Sequence, residues 1–146
     1  GTVAEVTQLG AEGGFVGLIA QGGQRFEVTE WLEDAPHPRA DIHQIADLEW
    51  DSSLSELQSS TEQLVRRTLA MASEFAENIW PADVELSDNP IAAAWQLAAI
   101  APINSLDQVT LLRSTSAREL LARVAELTRE AALAYEVPWL DDGDPL

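Results

Sequence analysis

The chain has 146 residues, 46% hydrophobic and 23% charged, which are the values of a globular domain and not of a disordered chain. Its 25 acidic and eight basic residues give a formal net charge of −17, a field that disfavours phosphate backbones and anionic lipid as partners. Cysteine is absent, which excludes disulfides and thiolate metal sites. All eight basic residues are arginine, so the chain has no P-loop lysine, Ser-Lys dyad or Schiff-base amine of its own.

Residues 1–50 read as strands. Val3, Glu5, Thr7 and Leu9 alternate with Thr2, Ala4, Val6 and Gln8, the pattern of a strand partly covered on both faces. Residues 10–14 are turn-like, and Phe15, Val16, Leu18, Ile19 and Ala20 form a short apolar strand. Gly22-Gly23, within residues 21–24, predicts a tight hairpin turn. A strand then resumes over residues 25–33 with Phe26, Val28 and Leu32 on one face. Trp31 falls on the opposite face with Glu27 and Thr29, which implies a bulge or a second buried face. After a proline-containing turn, residues 39–48 give one more strand.

Residues 51–137 read as a helical bundle. Ser53 and Glu56 stand in capping-box spacing ahead of Leu54, Leu57, Leu64, Val65, Leu69, Ala72, Phe75, Ala76 and Ile79, which predicts one helix of about 25 residues ending at Pro81. Residues 91–100 are apolar on every side except at Gln96, so a buried central helix is expected, with Pro90 as its first residue and Asn89 as its cap. The run is too short to span a membrane. A short helix opened by Asn104 or Ser105 should bury Leu106, Val109, Leu111 and Leu112. The last helix, capped by Ser116 and Glu119, should bury Leu120, Val124, Leu127 and Ala131 and leave Arg118, Arg123, Glu126, Arg129 and Glu130 in solvent. Residues 138–146 form an acidic tail. All strands precede all helices, which is an α+β order.

Chemistry leaves little trace. His37 and His43 are the only histidines, and no second histidine stands at ligand spacing from His43, so neither a metal site nor a cofactor is expected. No G-x-S-x-G or G-x-G-x-x-G pattern occurs. Of five tryptophans, Trp95 is expected in the core, and Trp50 and Trp80 at the ends of the long helix. Trp31 and Trp139, if exposed, are the candidate protein-binding anchors. No catalytic residue is assigned.

Two stretches carry a family resemblance. NPIAAAWQLAAIAPINSLDQVTLLRSTSARELLARVAELTREA has a buried apolar helix, a proline, a short L-D-x-x-x-L-L helix and a capped A-R-E-L-L helix. GTVAEVTQLG and GGQRFEVTEWLEDAPHPRADI carry a G-T-x-A-x-V strand, a G-x-x-R-F-x-V arm and a P-R-A strand. In this order the motifs resemble the N-terminal, substrate-binding domain of Lon proteases over nearly the whole chain. The resemblance implies a PUA-like, partial-barrel β-layer over residues 1–50 followed by the helical bundle. It also implies a non-catalytic, cytoplasmic, bacterial and proteolysis-related role: binding unfolded or tagged polypeptide, or aiding assembly. Members usually begin with further strands ahead of the G-T-x-A-x-V strand. Their absence here implies a truncated or variant domain with an uncovered apolar sheet face, pairing with a second copy or with a missing N-terminal segment. The ATPase and Ser-Lys peptidase modules of the protease are not part of this stretch. A PUA-like nucleic-acid-binding module is the alternative, disfavoured by the charge, and a hydrolase built on one histidine is a third.

Overall fold

A computed structural model describes residues 1–76 and 79–136 and divides the chain into two compact units, Gly1–Asp47 and Leu48–Leu146. The order is α+β, an antiparallel three-stranded sheet followed by helices. In the first unit β1 (Thr2–Glu12), β2 (Phe15–Leu32) and β3 (Arg39–Gln44) lie in the order β1-β2-β3. The β1–β2 turn is Gly13-Gly14, with φ of 60° and 85°. Two successive left-handed residues match the twist of a tight hairpin and are open to glycine at little cost.

The turn expected at residues 21–24 does not form. β2 runs straight through it, and Gly22 stands opposite Ala4. Between the pairs Ala4↔Gly22 and Thr2↔Arg25, β2 carries one residue more than β1, so the glycines accommodate a bulge instead of a reversal. Two other bulges fall on threonines. Thr7 is the extra residue of β1, and its hydroxyl donates to the Ile19 carbonyl at 3.3 Å. Thr29 is the extra residue of β2, and its hydroxyl donates to the Asp41 carbonyl at 3.1 Å.

Each threonine bulge resets which side chains share a face. Val6 and Leu9, three apart, come to the same face of β1. Val28 and Trp31 likewise share a face, because their partners Ile42 and Ala40 are two apart on β3. Trp31 thus joins Phe26 and Val28, and Leu32 leaves them, the bulge being one of the two outcomes the pattern allowed. β3 stops at Gln44, short of the expected residue 48. Arg25 holds the following chain against β2: its Nη2 donates to the Ala46 carbonyl at 2.7 Å, and the Ile45 amide donates to the Arg25 carbonyl at 2.9 Å. Burial of the guanidinium lowers its pKa, and the Asp47 charge opposes that shift.

The second unit holds α1 (Ser55–Ala72), α2 (Pro90–Ile100), α3 (Ser105–Leu111) and α4 (Ala117–Glu136), with a 3-10 turn, Ser52–Leu54, before α1. α1 has 18 residues where about 25 were expected, and α4, with 20, is longer. The chain turns after Ala72; Phe75 points outward and stacks on Tyr135, ring centroids 5.9 Å apart. At the opposite, N-terminal end the cap is Asp51, ahead of the 3-10 turn that leads into α1, and not Ser53: its carboxylate accepts from the Ser53 amide at 2.7 Å. At α2 the expected cap forms: the Asn89 side chain accepts from the Ile91 and Ala92 amides, both at 3.0 Å.

The core gathers Val65 and Leu69 of α1, Ala94, Leu97 and Ala98 of α2, Leu111 of α3, and Leu120, Leu121 and Val124 of α4. α2 is not buried all round. Gln96 and Ala99 are exposed and Trp95 is half-buried, because α3 covers only part of its outer side. α4 buries Leu121, Ala125, Thr128 and Ala132 beside Leu120 and Val124, a stripe turned slightly from the one expected, with Leu127 and Ala131 at its margin. Thr128 is tolerated in the core because its hydroxyl donates to the Val124 carbonyl at 2.6 Å.

The start of α4 is a capping arrangement with a consequence in acid. The Ser116 hydroxyl accepts from the Glu119 amide at 3.1 Å, and the Glu119 carboxylate accepts from the Thr115 amide at 2.7 Å and hydroxyl at 2.9 Å. These bonds, led by the Thr115 amide, hold the Glu119 carboxyl below its ordinary value of 4.5. A lowered folded pKa adds stability that is present above the unfolded value and is lost as pH falls through the folded one. A side-chain NMR titration should therefore place the Glu119 midpoint below 4.5, and Glu119→Gln should flatten this part of the acid unfolding limb. A midpoint at or above 4.5 would contradict the cap.

Candidate functional site

The β1–β2 hairpin presents one continuous apolar face. With Val6 and Leu9 brought together by the Thr7 bulge, the register sets Ala4, Val6, Leu9 and Ala11 of β1 beside Val16, Leu18 and Ala20 of β2, with no polar side chain among them. All seven are exposed; the large ones retain 56% (Val6), 69% (Leu9), 72% (Val16) and 60% (Leu18) of their accessible surface. Four large apolar residues, each more than half exposed on one face, make a contiguous patch of the kind that marks an interaction site. The expectation of an uncovered apolar sheet face is met. On the other face Gly10 and Gly17 stand opposite each other, and a shallow concavity of about 520 Å³ opens between Phe15 and Ile19.

Beyond Arg25 the apolar face continues along β2 and changes character. Register places Glu27 and Glu30 on it, with His43 opposite Glu27 and Asp41 opposite Glu30. Arg39, opposite Leu32, is the one exposed arginine of this unit, since Arg25 is buried. Like charges directly opposite in a sheet cost stability, so the Glu30–Asp41 pair gives the fold nothing that explains it.

A second apolar surface lies on the helical unit. Trp95 and Ala99 of α2, with Val109 of α3 and Leu112 just after it, line a groove of about 370 Å³. Leu106 and Val109, expected inside, are 75% and 57% exposed. The seven-residue α3 has room for one inward position, and Leu111 takes it.

Of the two candidate anchors, Trp31 is on β2, 70% exposed and beside Phe26 and Val28. Trp139 lies outside the described residues, as does the acidic tail. Trp50 packs against the helical core, and Trp80 is 57% exposed. Of the anchors named from sequence, Trp31 alone lies among the described residues. Which residues make up the apolar face was not legible in the sequence, because the alternation at residues 2–9 splits Val6 from Leu9. The clue was Thr7, a β-branched hydroxyl residue able to satisfy a bulge.

An exposed apolar sheet face on a small strand unit, followed by a close-packed helical unit, is the anatomy of a binding module. The chain belongs to the ATP-dependent protease La (LON) substrate-binding domain family, whose sequence model matches residues 1–130. It is thus a substrate-binding domain of a kind that is not itself catalytic. No match was found among curated proteins.

Proposed function

We propose that this domain binds polypeptide in an unfolded or extended state, and that the contact surface is the apolar face of the β1–β2 hairpin. The face itself carries the reading: seven apolar side chains, all exposed, on a regular pleated surface that an extended chain can lie against. Folded proteins keep such complementary apolar runs inside, so the face selects unfolded ones. The excess of carboxylates favours this reading over nucleic acid.

Fluorescence anisotropy of a labelled, reduced and carboxymethylated protein, permanently unfolded, tests it against the same protein in its native form. Saturable binding of the unfolded form alone is the expected result. No binding, or equal binding of both forms, would overturn the proposal.

A further inference from the structure

We infer that the preferred ligand is an apolar segment flanked by arginine or lysine, held on the apolar half of the β1–β2 face with its cations against the acidic half. The inference rests on the polypeptide-binding reading above. The two halves share one face of one strand. β2 presents Val16, Leu18 and Ala20 and then, past the buried Arg25, Glu27 and Glu30, with Asp41 beside them on β3. Three exposed carboxylates share this stretch with two arginines, the exposed Arg39 and the buried Arg25, and Glu33 and Asp34 follow, also exposed, just after the strand. From Val16 to Glu30 the strand spans about 45 Å, so a peptide of 12 to 15 residues reaches both halves.

Charge sets a peptide ligand apart from a second copy. A second copy would bring its own carboxylates to the same face and a net charge of −17. An incoming basic flank is instead steered toward Glu27, Glu30 and Asp41, and an acidic flank is turned away.

The test uses three labelled peptides with one apolar core of alternating valine and phenylalanine, capped at both ends by two arginines, two glutamines or two glutamates. Anisotropy titrations with the full chain should rank arginine over glutamine over glutamate, with about a tenfold span at low salt that shrinks severalfold at 0.5 M salt. The variant Glu27→Gln/Glu30→Gln/Asp41→Asn removes like-charge repulsion and should fold. It should keep the affinity for the glutamine peptide and lose most of the arginine preference. Equal affinities for all three peptides would overturn the charge selection and leave polypeptide binding standing. An arginine preference that survives in the variant would overturn the placement of the cations. Failure of every peptide to bind would overturn both readings, and a dimer by sedimentation under those conditions would assign the face to a second copy.

Discussion

Leu97→Ala should destabilise the helical unit by about 3–4 kcal/mol, a large share of the 5–15 kcal/mol that holds a typical domain folded. Leu97 is fully buried at the middle of α2, and its neighbours on that helix are Ala93, Ala94 and Ala98. The alanines let α1 and α4 approach α2 closely, and Leu97 is, with Ile100, one of the two large side chains that α2 buries in the core. The surrounding Val65, Leu69, Leu120 and Val124 are themselves buried and held in place, so they cannot collapse into the void, and the cavity cost adds to the lost transfer energy. Urea unfolding followed by helical circular dichroism measures this. Gln96→Ala, one residue away and exposed, removes one hydrogen bond, which its side chain accepts from the Ser87 amide at 2.7 Å, and should cost no more than about 1 kcal/mol. Equal effects from the two variants would contradict the placement of α2.

Arg66→Ala should cost about 2 kcal/mol, more than any surface ion pair accounts for. Sequence spacing shows only the pair with Glu62, which is present at 2.8 Å and alone is worth a few tenths of a kcal/mol. The other two nitrogens cross to the loop after α1: Nη1 donates to the Ala82 carbonyl at 2.6 Å and Nη2 to the Val84 carbonyl at 3.0 Å. Ala82 and Val84 are partly buried and packed on the core, so removing the guanidinium leaves two carbonyls short of a donor. Part of the gain is screened, because the Arg66 side chain keeps 28% of its exposure. Arg66→Lys should recover less than half of the loss, since an ammonium cannot reproduce the fork that serves both carbonyls. Hydrogen exchange at the amides of residues 82–88 should rise in both variants; exchange unchanged from the wild type would contradict the clamp.

The helical unit was largely legible because its signals are local. Asn89-Pro90 marks the start of α2, Ser116 and Glu119 mark the start of α4, and the order of strands before helices fixes the α+β class. The failures have a common cause: a residue whose role is set by a partner distant in sequence. Gly22-Gly23 has the composition of a turn, but Ala4 and Thr2 across the hairpin draw it into the sheet. Phe75 and Ile79 continue the helical spacing of α1, yet Phe75 is taken up by stacking on Tyr135. Arg66 looks like half of a helix pair until the loop carbonyls are seen. An uncovered apolar face was expected, but its residues could not be named for the same reason, since they depend on the single extra residue at Thr7 and on β2 lying opposite.

That face carries the functional account, and a variant pair tests it most directly. Leu9→Gln and Leu18→Gln change two side chains that face each other across the hairpin, both more than half exposed, and neither takes part in the helical core. The exchange should leave urea unfolding of the helical unit unaltered. The account predicts that the double variant loses affinity for a labelled, permanently unfolded protein by at least tenfold, on the scale of about 1.4 kcal/mol or more. Affinity within twofold of the wild type in a folded double variant would contradict it and move the binding site off the hairpin.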